Sequence, residues 1–416
     1  MEPITIAIAG CGSRGMDAYA SAIEQMPGRA RIVAAADLNP VKLAVMRERF
    51  GVPAQSCFAS AEEMLRQDRL AKAVLICTPD NCHYAHARAA LEKGYHLLLE
   101  KPISPSVEQL EDLERLARER GRLVVVCHVL RYTPLYQAVK RVIDSGELGE
   151  IQNLEAQEMV GHWHFAHSYV RGNWRRSEDS SPMILAKCCH DMDILVWLAG
   201  RRCTRVSSFG GLGHFRAENA PESAPERCTD GCTVACPYDA RRIYLGGLSG
   251  RPSGWPANVI TSDLRPQSVL NALQTGPYGR CVYRCDNDVA DHQAVNLELE
   301  GGMTASFSVS AFSLDIDRRL KVMGTLGELT AHLKRNHIHV QPFVGEGRDI
   351  DVNLNADDQF GHGGGDIRLM DAFLAALEGA EVDMGTLSTL EVSVESHRIA
   401  LAAEESRRNG GQVVAL

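Results

Sequence analysis

From residue 4 to about residue 128, short apolar runs alternate with amphipathic stretches. The runs are ITIAIA, RIVAAAD, KAVLIC, HLLLE and RLVVVCH; between them lie segments such as NCHYAHARAALEKG and SVEQLEDLERLARERG, the latter with apolar residues at three-to-four spacing. Strand-length runs alternating with helical periodicity predict a parallel sheet covered on both faces. Gly94 and Gly121 each follow a predicted helix and precede a strand, the place of a C-terminal cap.

After Pro134 the pattern changes. A helix (PLYQAVKRVIDSG) leads to a strand near residues 151–161, then to a loop rich in histidine and aromatic residues, then to a helix starting near Lys187. From residue 203 the chain carries β-type runs: TRVSSFGG, QAVNLELE, MTASFSVSAF, RLKVMGT, GELTAHL and HIHVQPF. Gly301-Gly302 between two of them signals a hairpin. Two helices, roughly 366–378 and 385–408, close the chain. The expectation is an α/β domain over 1–128 with a parallel sheet, then an α+β domain over 129–416 built on a large, mostly antiparallel sheet. Residues 213–280, rich in Pro, Gly, Ser and Cys and weakly periodic, read as an insertion. No internal repeat is visible.

Composition narrows the class. A chain of 416 residues is too long for one ordinary core. Hydrophobic content of 45% and charged content of 23% are those of a soluble globular protein. A formal net charge of -9 argues against nucleic-acid or anionic-membrane partners. No apolar run is long enough to span a bilayer, and the N-terminus shows no secretory signal. Of the thirteen cysteines, Cys11, Cys77 and Cys127 lie in or beside apolar strands, which suits free thiols in a reducing cytoplasm.

The first strand runs directly into Gly10-Cys11-Gly12-Ser13-Arg14-Gly15, a GxGxxG. In such a turn the first glycine permits the bend and the second admits a pyrophosphate. The third lets helix and strand pack closely, with the helix N-terminus facing the phosphates. The second strand ends in Asp37, 22 residues beyond Gly15. A carboxylate there accepts from both adenosine-ribose hydroxyls and repels a 2′-phosphate. Leu38 and Asn39 follow, with no arginine to welcome NADP, so NAD is the expected cofactor.

With the Cys77-Thr78-Pro79 turn, His83 and Glu100-Lys101-Pro102, the chain resembles the glucose–fructose oxidoreductase, inositol dehydrogenase and rhizopine-catabolism (Gfo/Idh/MocA) family. The resemblance extends to the histidine-bearing sixth strand with Arg131-Tyr132 and to the VMGTLGEL run. It implies a nicotinamide over the EKP strand end, between a Rossmann domain and an open-faced sheet that often mediates homodimers or homotetramers. Cofactor contacts implied are those of Gly10, Gly12, Ser13, Arg14, Gly15, Asp37, Thr78, Pro79, His83, Glu100, Lys101, Trp174 and Arg175. His128, Arg131, Tyr132 and Asp193 are implied on the substrate side.

Lys101 ends an apolar parallel strand on the carboxyl edge, where open α/β sheets bind ligands. There it can bond both cofactor ribose and substrate hydroxyl. The family's second catalytic patch carries an aspartate and, four residues later, a histidine. Here His190 matches, but the aspartate position is Ala186, with Lys187 beside it. Histidine is the expected general base for a sugar hydroxyl, and Lys187 is the candidate replacement for the missing partner. Upstream, the segment from Gly161 to Arg175 holds three histidines, two tryptophans, a tyrosine and two arginines. Flat aromatics suit the apolar faces of a sugar, which marks His162, Trp163 and His164 as substrate candidates, with only one of the two histidines expected to face the site. Cys228, Cys232 and Cys236 fall in the insertion. They read either as a structural zinc site, completed by Cys285 or His214, or as free thiols.

The leading expectation is an NAD-dependent oxidoreductase acting on a hydroxyl, or the matching ketone, of a sugar or polyol. The alternative is an NAD-dependent glycosidase working by transient oxidation, elimination, water addition and re-reduction. A non-catalytic NAD-binding scaffold is a third class, disfavoured by the presence of both Lys101 and His190.

Overall fold

The computed structural model describes residues 2–246, 254–352 and 361–416; residues 247–253 of the predicted insertion lie outside them. The first sheet comprises β1 (Ile4–Ala9), β2 (Ala30–Ala36), β3 (Cys57–Phe58), β4 (Ala73–Ile76), β5 (His96–Leu99) and β6 (Val124–Val126). Their order is β3-β2-β1-β4-β5-β6 and every pairing is parallel. The order reverses beside β1, which opens a crevice at the carboxyl ends of β1 and β4. The interior strands are buried on both faces because their runs are apolar except at Thr5, Arg31 and His96, all in the first half of their strands. The helix Val107–Arg120 shows how local rules set its ends. Ser106 accepts from the Gln109 N–H at 3.3 Å, and Gly121 closes it in a left-handed conformation at φ 59°.

The second sheet comprises β7 (Ile151–Met159), β8 (Cys203–Gly211), β9 (His292–Leu299), β10 (Thr304–Ser310), β11 (Asp317–Gly324), β12 (Gly327–His332), β13 (His337–Pro342), β14 (Arg348–Asp351) and β15 (Val414–Ala415). Its order is β14-β13-β12-β11-β7-β10-β9-β8-β15, antiparallel throughout except for β7 beside β10. Alternate residues of β9 and β10 are buried, so one face packs and the other stays open. The helices Cys189–Ala199 and Leu390–Arg408 cover the packed face. The expected hairpin is present, with Gly301 and Gly302 at φ 77° and 80°.

The domain division differs from the sequence reading in one respect. The helix Gly361–Glu378 sends Leu369, Met370, Phe373 and Leu374 into the Rossmann core beside Ile6, Ile8 and Tyr19. The tail of the chain therefore returns to the first domain. The described part of the insertion has a small core of its own, formed by Cys228, Ala240, Tyr244, Val269 and Leu273. No helix among the described residues is long and apolar enough to cross a membrane.

Candidate active site

The glycine turn at the end of β1 separates into structural and ligand-facing positions. A Cβ on Gly10, at φ 93°, would lie 2.4 Å from the Cys77 carbonyl oxygen, and one on Gly15 would lie 2.0 Å from that of Gly10. Both glycines are demanded by backbone approach. Gly12 is different: the nearest atom to its Cβ direction is Lys42 Nζ at 3.9 Å. That opening sits where the fingerprint admits a pyrophosphate, and it fits NAD. Ser13 is exposed beside it at the start of the first helical segment. At the end of β2, Asp37 accepts from the N–H groups of Cys11 and Asn39, both at 2.8 Å. Its carboxylate is thereby fixed beside the glycine turn.

Arg14 and Glu100, expected on the cofactor, bind one another instead. Arg14 Nε donates to Glu100 Oε1 at 2.7 Å, and its other nitrogens reach Tyr19 and Asp366. Burial resists ionisation of Glu100, yet Arg14 and Lys101 hold its carboxyl below the usual range. The pair fastens the first helical segment to the end of β5. His83 has a similar role: its ring nitrogens lie 2.7 Å from the carbonyl oxygens of Pro102 and Thr78. It staples the turn after β5 to the turn carrying Thr78 and Pro79, and the Thr78 hydroxyl meets His86 Nδ1 at 3.0 Å.

Lys101 reaches across the cleft and donates to the Ala186 carbonyl oxygen at 2.8 Å. The position that lacks the expected carboxylate thus supplies a backbone acceptor. The adjoining Lys187 finds a carboxylate after all: its Nζ lies 3.2 Å from Oε1 of Glu158, whose side chain is wholly buried. Glu158 stands directly across the sheet from Arg318. Arg318 Nε lies 2.7 Å from Glu158 Oε2 and 2.8 Å from Asp191 Oδ1. Burial and the neighbouring Glu158 raise the Asp191 carboxyl to about 6 against the pull of Arg318. His190, the next residue back, sits edge-on to His128 with ring centres 5.6 Å apart.

The sequence reading missed Glu158, Asp191 and Arg318. A signal for two of them is present in the chain. Glu158 follows Leu154 and Ala156 in alternation, and Arg318 precedes Leu320 and Val322, so opposite charges occupy the core-facing side of two strands. It also missed Asp80, which joins the domains. Asp80 Oδ2 accepts from Trp174 Nε1 at 3.0 Å and from Ser180 Oγ at 3.1 Å. Trp174 is thereby held beside the Thr78-Pro79 turn, whereas Arg175 turns away to a two-pronged pair with Asp286.

Four residues expected on the substrate form the wall behind the site. Arg131 spends Nε and a terminal nitrogen on the two oxygens of Asp193, each at 2.7 Å. The Tyr132 hydroxyl is bonded to Ser388. His128 is fully enclosed between His190 and His397, and burial drives its imidazolium form out. All four side chains are buried, and those of Arg131, Asp193 and Tyr132 are bonded within the protein.

The aromatic segment is helical, not extended: β7 ends at Met159, and residues His162–Phe165 and Ala166–Arg171 form successive helical turns. His162 and His164 therefore lie on a helical turn and not in a strand. His162 Nδ1 lies 3.2 Å from the Ser313 carbonyl oxygen. Trp163 and His164 pack against Trp255 of the insertion at ring-centre distances of 5.1 and 4.9 Å. Burial and the charge of Lys187 push the His164 imidazole well below its ordinary value, so His164 belongs to the neighbourhood of Lys187.

The described residues give the zinc expectation no gathered ligand set. Cys228, Cys232 and Cys236 are free thiols that line a small cavity with Cys281 and Arg171. Among the described residues no three His, Cys, Asp or Glu side chains are gathered closely enough to hold a metal ion. Arg171, fully buried, ties this region together by donating to the carbonyl oxygens of Arg280 and Tyr238, both at 2.7 Å.

Known proteins share this architecture. WlbA from Chromobacterium violaceum, solved with NADH and UDP-GlcNAcA, superposes with a TM-score of 0.68 at 18% identity, covering 100% of this chain and 96% of that one. An oxidoreductase from Agrobacterium radiobacter, solved with NAD+, L-tartaric acid and magnesium, gives 0.69 at 17% identity, covering 100% and 98%. In sequence, the Bacillus subtilis protein YteT, named as an oxidoreductase, is 23% identical over 89% of this chain and 88% of its own length. The inositol 2-dehydrogenase of Corynebacterium glutamicum is 27% identical over 49% of this chain and 57% of its own. Residues 4–128 match the oxidoreductase family's NAD-binding Rossmann fold, and residues 140–416 match its C-terminal alpha/beta domain. The chain is an NAD-dependent oxidoreductase of the Gfo/Idh/MocA family.

Proposed function

We propose that this protein oxidises a hydroxyl of a sugar or polyol, or reduces the matching ketone. The observation that carries the reading is the convergence across one cleft of Lys101 with the segment Ala186 to His190. Bound NAD supplies a hydride acceptor at the carboxyl edge of the parallel sheet. Lys101, released from the Ala186 carbonyl oxygen, donates to the substrate oxygen and fixes the carbon that loses hydride. His190 receives the hydroxyl proton. Lys187, kept in place by Glu158, faces the negative charge that develops on the oxygen.

The test is to incubate the protein with NAD and a panel of aldoses, inositols and uronates and follow NADH. Accumulation that disappears in Lys101→Met and His190→Ala supports the reading. Undiminished turnover in His190→Ala overturns its role as base.

A second reading, the redox-neutral glycosidase, is favoured by the Lys187–Glu158–Asp191 group, which offers ionisable side chains beyond those hydride transfer needs. Aglycone release from aryl glycosides at catalytic NAD, without net NADH, distinguishes it.

A further inference from the structure

Lys42 stands where two parts of the nucleotide cradle meet. It lies in the first turn of the helix Pro40–Phe50, and its side chain is 38% exposed. Nζ is 3.7 Å from Asp37 Oδ2 and 3.9 Å from the point where a Cβ on Gly12 would sit. Asp37 is fixed by two backbone donors, whereas the ammonium facing it ends a flexible stem. The other ionisable groups that sense Lys42 are Cys11 and Asp17, and it favours the charged form of both.

An aspartate at the end of the second strand normally rejects a 2′-phosphate by charge repulsion. Here the repelling carboxylate has a cation beside it, five residues along the chain. A 2′-phosphate carries between one and two negative charges, about −1.5 to −2 for a phosphomonoester near neutral pH. On arrival it meets the Asp37 carboxylate and an ammonium free to swing toward it, since a solvent-screened lysine–aspartate pair is weak.

We infer that Lys42 sets the NAD/NADP discrimination of this site. It offsets the repulsion from Asp37, so that the protein binds NADPH as well as NADH. This rests on the NAD-binding reading of the glycine turn, and its test needs no sugar substrate.

NADH and NADPH are titrated separately into the full-length protein, following nucleotide fluorescence, for the wild type, Lys42→Ala, Lys42→Glu and Asp37→Asn. Circular dichroism checks that the substitutions at half-exposed Lys42 and at part-buried Asp37 leave the fold intact. The ratio of NADPH to NADH dissociation constants rises about tenfold in Lys42→Ala. It rises further in Lys42→Glu, with the NADH constant within about twofold in both Lys42 variants, and it falls in Asp37→Asn, where loss of the ribose-binding carboxylate weakens NADH as well. The tenfold difference shrinks at high salt, because the contact is exposed. Equal weakening of both nucleotides makes Lys42 a pyrophosphate contact and overturns the inference, as does an unchanged ratio. Failure of the wild type to bind NADH overturns the nucleotide reading itself, and is recognisable as such before any variant is compared.

Discussion

The two walls of the cleft are held by different means. On the Rossmann side, position follows from neighbours in the chain: a glycine turn between a strand and a helical segment, an aspartate ending β2, a lysine ending β5. Backbone geometry aims each group. On the opposite side, Glu158, Lys187, Asp191 and Arg318 come from separate stretches and fix one another by charge inside the core. A wall built by local rules tolerates change at its ligand-facing positions. A wall built by buried ions is only as firm as its full set of partners, since removing one leaves an uncompensated charge.

The sharpest contrast within the first wall is between Gly15 and Gly12. Gly15→Ala drives a methyl to 2.0 Å from the Gly10 carbonyl oxygen and must displace backbone. Loss of the cooperative unfolding transition of the Rossmann domain is expected in urea. Gly12→Ala meets nothing closer than 3.9 Å. It should unfold like the wild type while NADH binding weakens about tenfold, because only the phosphate approach is obstructed.

Next in size are substitutions of the two residues that bring the walls together. Lys101→Met and His190→Ala should each reduce kcat by about a thousandfold, within the range for a lost acid–base or positioning group. NADH affinity should stay within about twofold. If one substitution also abolishes NADH binding, the two walls are not functionally separate.

The same division decides what could be read from the sequence. GxGxxG, Asp37 and the EKP turn are contiguous patterns, and they led to the fold, the cofactor and Lys101 directly. Arg14 and Glu100 stand inside those patterns, yet their mutual bond is not visible in them, since it spans 86 positions. Glu158 and Arg318 showed only as charges on the core-facing side of strands. That they face each other depends on β7 pairing with β11, a register that no local run specifies. The aromatic segment failed for a related reason. Expected as a loop, it forms helical turns packed against Trp255 of the insertion, a contact that no local run specifies.

Breaking the second wall tests its dependence on full pairing. Glu158→Gln leaves Lys187 and Arg318 with one buried carboxylate between them. A loss of about 3 kcal/mol in urea unfolding is expected, with lower kcat and little change in NADH affinity. In a double-mutant cycle with Arg318→Met the two losses should be less than additive, because the second substitution removes a charge the first has already orphaned. Additive losses would separate the pair and undo the argument for a single charge cluster.

The smallest effect is a slope against pH. His167 stacks on Tyr278 with Nδ1 2.6 Å from the Tyr244 hydroxyl oxygen, and burial lowers its imidazole to about 4. His397 is lowered to about 3 by burial and the nearby His128. His128 and His164 shift in the same direction. Unfolded histidines take up protons near pH 6.5. The unfolded state therefore binds more protons than the folded state from about pH 6.5 down to about 4, and stability falls with pH across that window. Each such ring contributes up to about 1.4 kcal/mol per pH unit. Asp191 acts in the opposite sense: its carboxyl, raised to about 6, is protonated in the folded state before it is in the unfolded one, so it adds stability as pH falls through 6. Urea unfolding between about pH 7 and pH 5 should show the histidine slope, reduced by Asp191. His167→Phe lowers stability at every pH by stranding the Tyr244 hydroxyl, but it should also flatten the slope by about one proton. An unaltered slope would mean that His167 accepts its proton in the folded protein, and that the aromatic packing of Tyr244, Tyr278 and Trp255 around it is loose enough to admit the charge.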